Sequence, residues 1–344
     1  MFRLLFFQIY ETLCAAFPRI MAFLSLSTVI VPKKKNKVNT LSVDIWDSVN
    51  YPKENREISP VFIPFCKNMR FFTQKEEVFM IQADFHTHTN FSDDSQASAQ
   101  MQLDAALEHG LTSLCFTDHE DYAYPTGEFQ LNVPEYTKTM ETLRDAYAGR
   151  IQIAIGMEAG LRPDYVNEIT SVVSSYPFDF VIGSTHVVRG QDPYVASYWQ
   201  GRTEKESIRL YLEETLANIR CFDCFDVYGH IDYVIRYVPS GHTSYSYIEY
   251  CDILDEILRL LIAKGKGIEC NTGGFKYGLG HPNPHEDLIR RYVELGGEIL
   301  TIGSDAHAPQ HIAYDFHRLP DLLAACGVRY YTTFLGRKPI FHRL

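Results

Sequence analysis

The chain has 344 residues, of which 46% are hydrophobic and 22% are charged, and its formal net charge is −11. This is a globular composition, long enough to bury one large core or two ordinary ones. Residues 80–344 hold 21 Lys and Arg against 36 Asp and Glu, which argues against a nucleic-acid partner, because phosphate backbones require clustered basic side chains. An acidic body instead suits a cation site or a small, partly cationic substrate.

Residues 1–79 differ from the rest of the chain. Residues 1–32 are apolar and aromatic, but charged residues and a proline interrupt them, and the longest unbroken part, 20–31, is too short to span a membrane. A basic cluster follows this stretch instead of preceding it, unlike a signal peptide. We therefore expect no stable membrane insertion. We expect 1–79 to be a poorly ordered extension or a gene-model artefact, and 80–344 to be the folded domain.

The eight cysteines are scattered along the chain. Cys221 and Cys224 form a lone C-x-x-C without the second pair that a zinc ribbon needs. Most of the others lie in apolar surroundings, where free cysteine behaves as a small buried hydrophobe. This usage predicts a reducing, cytoplasmic location.

From Met80 onward, short apolar runs alternate with amphipathic helical stretches. The predicted strands are 80–87, 114–117, 151–157, 178–182, 225–228, 267–270 and 298–302, and the predicted helices are 97–109, 134–148, 164–175, 203–219, 246–264 and 284–295. Seven strands that alternate with six helices imply parallel strands joined by right-handed crossovers. We predict an α/β fold, a distorted seven-stranded (β/α)7 TIM-like barrel.

Side chains that bind metals follow nearly every predicted strand. They are His86, His88, His119, Glu158, His186, His230, Asp305 and His307. A single histidine of this kind is more simply explained as an ordinary hydrogen-bonded polar residue, but chance does not place the whole set at strand ends. The carboxyl ends of parallel strands meet on one face, so we expect these side chains in one pocket. Nitrogen and oxygen donors without thiolates fit zinc, manganese or iron, and a set this large needs two or three ions.

Six motifs, in order, resemble the PHP (polymerase and histidinol phosphatase) superfamily, most closely its histidinol-phosphatase branch. They are Asp84-Phe-His86-Thr-His88 with Ser92-Asp93-Asp94, Phe116-Thr-Asp118-His119, Gly156-Met-Glu158, Gly183-Ser-Thr-His186, Gly229-His230 and Gly303-Ser-Asp305-Ala-His307. The match covers about 80–340, and Tyr330 to Pro339 resembles that branch's closing strand and tail. Residues 1–79 have no counterpart.

The resemblance implies a barrel with a trinuclear metal centre. It places His86, His88, Glu158 and Asp305 on the most enclosed ions, with Glu158 bridging them. The set is completed by Asp94, His119, His186, His230 and His307. Asp94 is preferred to its neighbour Asp93 as the loop ligand.

The same resemblance implies hydrolysis of a small phosphate ester, L-histidinol phosphate, to L-histidinol and phosphate in histidine biosynthesis. The nucleophile would be a metal-bridging hydroxide attacking phosphorus in line. Arg236 and Lys276 are the expected phosphate-binding side chains, Lys276 because Gly273 stands where some relatives carry an arginine. Asp118 and His230 are the expected catalytic residues that stabilise the leaving alkoxide.

The rest of the substrate would face the pocket wall. Glu120, Asp121 or Asp232 would pair with its ammonium group, and the imidazole would be covered by aromatic residues of the loop after the second strand, namely Tyr122, Tyr124 and Phe129.

Two alternative functions keep the metal site. One is a phosphoesterase for another ester, such as a nucleotide, sugar phosphate or phosphotyrosine, and the other is a non-catalytic metal-binding module.

Overall fold

A computed structural model describes residues 81–241 and 245–344. The expectations for the segment 1–79 and for a domain start at Met80 lie outside the described residues. Within the described part of the chain, no helix is both long enough and apolar enough to cross a membrane.

The described strands are β1 (Ala83–Thr87), β2 (Ser113–Phe116), β3 (His119–Asp121), β4 (Gln152–Gly160), β5 (Phe180–Ser184), β6 (Val227–Tyr228), β7 (Gly267–Asn271), β8 (Leu300–Gly303), β9 (Tyr330–Leu335) and β10 (Lys338–Arg343). The α-helices are α1 (Ala99–Glu108), α2 (Val133–Ala146), α3 (Val166–Ser175), α4 (Glu204–Cys221), α5 (Cys251–Ala263), α6 (Gly273–Lys276), α7 (Glu286–Glu294) and α8 (Leu319–Ala325).

The strands form a parallel sheet in the order β1-β2-β4-β5-β6-β7-β8. β3 lies just beyond β2 in the chain and pairs only with the second half of β4. β1 and β8 meet where Thr87 bridges Ala306 and where the Asp305 N–H donates to the His86 carbonyl at 2.9 Å. We call this junction the β1–β8 seam. The predicted seven-stranded, distorted (β/α)7 barrel is confirmed.

The helices begin and end at local signals in the sequence. Ser98 caps α1 through the N–H of Met101, and the chain leaves this helix at Gly110 in the left-handed region (φ 74°), which glycine adopts without steric cost. Thr203 and Glu206 form a reciprocal capping box at the start of α4. Each of these helices packs an apolar stripe on the barrel, so the strand ends are held in fixed positions.

Most predicted boundaries lie within about three residues of the observed ones, but two elements also differ in form. β4 runs on to Gly160, because pairing with β3 and β5 continues the strand, and Glu158 therefore lies inside it instead of after it. The helix predicted from residue 246 begins as a 3₁₀ turn, Tyr247–Tyr250, before α5 starts at Cys251.

The carboxyl-terminal residues form an antiparallel hairpin, β9–β10, and not a further barrel strand. Phe334 packs against Phe180 at the start of β5, with ring centroids 5.0 Å apart. The Gly336 N–H donates to Asp179 Oδ1 at 2.9 Å, and Arg337 Nε donates to Asp226 Oδ2 at 2.6 Å. The hairpin thus covers the amino-terminal end of the strands and leaves their carboxyl end free for the site.

Candidate metal centre

Glu158 lies at the middle of a histidine cluster at the carboxyl end of the barrel. Its Oε1 is 3.1 Å from His186 Nε2 and 2.8 Å from His230 Nε2. Its Oε2 is 3.0 Å from His86 Nε2, 3.4 Å from His88 Nε2 and 3.3 Å from His119 Nδ1. Because the two oxygens serve different histidines, the carboxylate is placed to bridge two ions.

The β1–β8 seam adds a second group of donors. Asp305 Oδ1 lies 3.6 Å from His88 Nε2 and 3.5 Å from His307 Nδ1. Asp94 Oδ2 lies 3.1 Å from His307 Nε2 and 3.7 Å from His119 Nε2. The His88 ring packs against both the His119 and the His307 ring, at centroid distances of 4.3 and 4.1 Å. Residues from both ends of the folded chain therefore meet at one point.

Two further carboxylates orient the rings. Glu269 Oε1 is 2.6 Å from His86 Nδ1, and Asp121 Oδ1 is 2.9 Å from His186 Nδ1. In both rings the other nitrogen, Nε2, faces Glu158. A carboxylate behind a metal-binding imidazole fixes its tautomer and its direction.

The charges within the cluster are strongly coupled. Burial lowers the pKa of His86, but Glu158, Glu269 and Asp305 outweigh it and hold that pKa well above its usual value. Burial raises the pKa of Glu158, but the surrounding histidines hold it well below its usual range. For His88, burial and the neighbouring histidines act together and hold its pKa well below the usual value. A neutral His88 is the form that binds a metal ion.

Four buried ring nitrogens in the cluster form no hydrogen bond of acceptable geometry: His88 Nε2, His119 Nδ1, His230 Nδ1 and His307 Nε2. Carboxylate oxygens nevertheless lie within 3.4 Å of all of them except His230 Nδ1. Leaving buried polar atoms unpaired is costly, so these positions require a ligand that the protein itself does not supply. Three overlapping triplets have donor atoms within 4.8 Å of one another: His88, His119 and His307; His86, His88 and Glu158; His119, Glu158 and His186. The residues present fit two or three divalent ions.

The backbone is strained where it delivers two of these side chains. Asp305 has φ 56° and His230 has φ 21°, conformations that non-glycine residues rarely adopt. Gly303, just before the seam, has no room for a side chain, because a Cβ there would collide with His86 Cβ and Glu269 Oε1. Close packing at Gly303 holds the β8 end against β1, and such packing is what maintains strained backbone conformations.

A cavity of about 430 Å³ opens above the cluster. Its polar wall includes Arg236 and Lys276, and its aromatic wall consists of Tyr124, Phe129, Tyr233, Tyr237 and Tyr277. Lys276 Nζ donates to the Asp305 carbonyl at 2.9 Å, so its ammonium lies directly beside the cluster. The cavity therefore offers metal ligands at its base, two cations on one side and aromatic rings around them.

The Arg236 guanidinium is held on several sides. Its Nε donates to Asn283 Oδ1 at 2.9 Å, its Nη1 to Asp305 Oδ2 at 3.0 Å and its Nη2 to Asn271 Oδ1 at 3.3 Å. Its carbon centre lies 5.1 Å from the ring of Tyr233 and 4.7 Å from that of Tyr277. A Cβ at position 273 would lie 3.1 Å from Arg236 Nη2, so this arginine occupies the space beside Gly273.

All nine residues predicted as metal ligands lie within this cluster, and both predicted phosphate-binding residues line the cavity. Asp118 does not line the cavity, so its role in stabilising the leaving group stays a prediction that no contact of its carboxylate supports. Its carboxylate is fully buried and accepts from the Thr89 N–H at 2.7 Å and from Ser92 Oγ at 2.7 Å. Asp118 instead fixes the start of the loop that carries Asp94.

The residues predicted to surround the rest of the substrate are only partly in place. Tyr124, Phe129 and Asp121 line the cavity. Tyr122 stacks on Tyr165 outside it, Glu120 accepts from the Leu131 N–H, and Asp232 accepts from Asn283 and from the His285 N–H.

Glu269 was missed by the sequence reasoning. The sequence does mark Glu269, because it is a carboxylate inside an otherwise apolar strand. Burying an unpaired charge there is too costly, so a partner is expected. The cavity tyrosines Tyr233, Tyr237 and Tyr277 were also missed, although they adjoin Arg236 and Lys276 in the sequence.

The family model of the PHP domain matches residues 84–273. A histidinol-phosphatase of Lactococcus lactis is 34% identical over 263 residues, 75% of this chain and 96% of its own. A probable histidinol-phosphatase of Clostridium acetobutylicum is 32% identical over 250 residues, 72% of this chain and 94% of its own.

Among solved structures, the Lactococcus lactis histidinol phosphate phosphatase, in complex with zinc, L-histidinol and phosphate, superimposes with a TM-score of 0.71 over 75% of this chain and 98% of its own. A Listeria monocytogenes protein described as a putative histidinol phosphatase shares the fold, with a TM-score of 0.62 at 19% identity over 69% of this chain and 99% of its own. The chain therefore belongs to the PHP domain family, in its histidinol-phosphatase branch.

Proposed function

We propose that this protein is a metal-dependent phosphatase that hydrolyses L-histidinol phosphate to L-histidinol and phosphate. The observation that carries the proposal is the convergence of nitrogen and oxygen donors on Glu158 at the base of a cavity that also holds two cationic side chains. The similar Lactococcus lactis enzyme has zinc, L-histidinol and phosphate in its structure. The donor set and this relative support the same reaction.

We propose that the ions are held by the nine residues of the cluster: His86, His88, Asp94, His119, Glu158, His186, His230, Asp305 and His307. Glu158 is the bridging ligand, because its two oxygens face different histidines. Zinc, manganese and iron all accept this donor set. Divalent ions at such a site supply an activated water and neutralise charge on the phosphoryl group.

Arg236 and Lys276 are proposed to bind the phosphoryl oxygens. Three N–H groups of Arg236 are engaged by Asn283, Asp305 and Asn271, which leaves two of its five for the ligand. Arginine can bind two phosphoryl oxygens at once, whereas the Lys276 ammonium acts as a point charge. Both side chains lie beside Asp305, so the phosphoryl group would lie against the metal ligands.

His230 is assigned to metal binding rather than to proton donation. Burial lowers the pKa of His230, and this favours the neutral ring that a metal ion requires. Its Nε2 lies 2.8 Å from Glu158 Oε1, within the donor cluster, and so is placed to bind an ion together with that carboxylate. In this proposal, stabilisation of the leaving group falls to the metal ions.

The imidazole end of the substrate is proposed to lie against Tyr124, Phe129 and Tyr237. Phe129 packs edge-on against the metal-site ring of His119 at 5.5 Å, and Tyr124 lies 4.6 Å from Phe129. The Tyr124 hydroxyl donates to Asp192 Oδ2 at 2.9 Å, so its lone pairs remain free to accept from an N–H of the ligand. Aromatic rings around a polar acceptor suit a flat, basic heterocycle.

A cytoplasmic location is also proposed. The cysteines of the described residues are free thiols: Cys115, Cys221, Cys224, Cys251, Cys270 and Cys326. Unpaired cysteines are typical of a reducing compartment.

The test is phosphate release from L-histidinol phosphate by the full chain, first after chelation and then with added manganese or zinc. A nucleotide monophosphate and phosphotyrosine serve as comparison substrates. We expect metal-dependent turnover with a kcat/KM far higher for L-histidinol phosphate. Equal or greater turnover of a comparison substrate would reassign the substrate, and bound metal without turnover of any ester would favour a non-catalytic module.

A further inference from the structure

The Arg236 guanidinium is oriented by two asparagines as well as by Asp305. Asn283 lies in the loop before α7, and Asn271 ends β7. The two asparagines are joined to each other by a pair of backbone hydrogen bonds, each 2.8 Å long. Residues from three separate segments of the chain therefore converge on one side chain.

The direction of each amide is fixed by a carboxylate behind it. Asn283 Nδ2 donates to Asp232 Oδ1 at 2.6 Å, and Asn271 Nδ2 donates to Glu269 Oε2 at 3.1 Å. An amide that donates through its nitrogen must turn its oxygen the other way, and here that oxygen faces Arg236. The chain Asp232, Asn283, Arg236 is therefore a directed series of hydrogen bonds.

The fully buried Asp232 carboxylate also accepts from the His285 N–H at 2.9 Å. This acid does not line the cavity, and it acts on Arg236 through the Asn283 amide, which bonds both side chains. Because the Asn283 amide is neutral, it can fix the direction of the Arg236 guanidinium without placing a second negative charge beside it. Asp305 is then the carboxylate that pairs with it directly.

We propose that Asp232 and Asn283 are positioning residues for phosphate binding. Asp232 fixes the Asn283 amide, and the amide fixes the plane of Arg236 while leaving its charge available to a phosphoryl dianion. This inference rests on the proposed function only in taking Arg236 as the phosphate-binding residue. The amide at position 283 is required because a carboxylate there would place a second negative charge on a guanidinium that Asp305 already pairs with.

The test uses the full chain loaded with metal and compares three variants. Asn283→Asp puts a charge against Arg236. The double variant D232N/N283D exchanges the two side chains, which keeps the hydrogen-bonded pair and its total charge but moves the charge next to Arg236. Asp255→Asn is the matched control, because Asp255 holds Arg291 on the outside of the barrel through bonds of 2.9 and 2.6 Å.

Calorimetry would measure binding of inorganic phosphate and, separately, of L-histidinol, alongside metal content and the unfolding midpoint. We expect both variants at position 283 to bind phosphate about tenfold more weakly, the effect of weakening one charge-assisted hydrogen bond. L-histidinol affinity and metal content should not change, and the exchanged pair should unfold near the unaltered protein. A purely structural role would change both affinities together.

Phosphate affinity equal to that of the unaltered protein in the exchanged pair would overturn the proposal, and so would parallel losses of phosphate and L-histidinol affinity. If the variants at position 283 do not fold, Asp232→Asn replaces them: it keeps Asn283 but removes the charge that orients the amide, and unchanged phosphate affinity there overturns the proposal equally. Failure of the proposed function is distinguishable, because the unaltered protein would then bind phosphate without hydrolysing L-histidinol phosphate.

Discussion

Replacing Glu158 by glutamine tests the metal centre most directly. The change keeps the size of the side chain but exchanges one oxygen for an NH₂ group, which has no lone pair to offer a metal ion. One Glu158 oxygen faces His186 and His230, and the other faces His86, His88 and His119. Whichever way the amide turns, one of the two groups loses its bridging ligand.

The size of the effect follows from burial. Glu158 is fully buried among imidazoles, and removing one partner from a buried charge cluster costs about 3–5 kcal/mol. Because about 1.4 kcal/mol corresponds to a tenfold change, we expect the bridged ions to bind roughly 10²- to 10⁴-fold more weakly. Turnover at limiting metal should fall by the same order.

The assay pairs elemental analysis of metal per chain with phosphate release from L-histidinol phosphate, after chelation and stepwise reloading with manganese or zinc. Glu256→Gln is the matched control, since Glu256 contacts Arg220 and both side chains are more than half exposed. Full metal content in Glu158→Gln, together with turnover equal to that of the control, would refute the bridging assignment.

Three further predictions concern the cavity and its charges. Arg236→Lys should lower kcat/KM about 10- to 100-fold with metal content unchanged, because the ammonium keeps the charge but loses the paired N–H donors. Initial-rate kinetics measure this, and an unchanged kcat/KM would remove Arg236 from the phosphate site. In the chelated protein, burial lowers the pKa of His186, but Asp121 and Glu158 raise it to about 10. The stabilisation of the folded state that results is complete below pH 6.5 and is lost as the pH rises through about 10, so the unfolding midpoint measured in chelator should fall over that range. A rising midpoint contradicts the assignment. Tyr124→Phe should weaken L-histidinol binding several-fold but leave inorganic phosphate binding unchanged, whereas Tyr122→Phe, outside the cavity, should alter neither. Calorimetry with both ligands is the measurement, and equal effects of the two substitutions would count against binding of the imidazole beside Tyr124.

The regular alternation of strands and helices along the sequence explains why the fold and the set of candidate metal ligands were predictable. Each strand–helix repeat brings its carboxyl-terminal residues to the same end of the barrel, so position in the repeat predicts convergence even for His86 and His307, which are far apart in the sequence. The exceptions have local causes. Glu158 was placed after its strand because the short β3 that extends the pairing of β4 has no recognisable apolar pattern.

The side chains of the loops were harder to predict. Asp118 immediately precedes a metal ligand in the sequence, yet Thr89 and Ser92 draw its carboxylate away from the cavity. Asn283 gave no signal, because its role depends on loop conformation and on a partner, Asp232, 51 residues away. Periodicity carries no information about such contacts, which become visible only when the loops are placed.

The β1–β8 seam also has a consequence for how the enzyme is made. Ser304 hydrogen-bonds to Asp84 across 220 residues of sequence, and the ligands nearest the seam come in equal numbers from its two sides, His86 and His88 from one and Asp305 and His307 from the other. A ribosome must therefore synthesise almost the entire domain before the centre can assemble. Contacts of such high sequence separation form late. The complete donor set is thus available only after the barrel has closed at this seam.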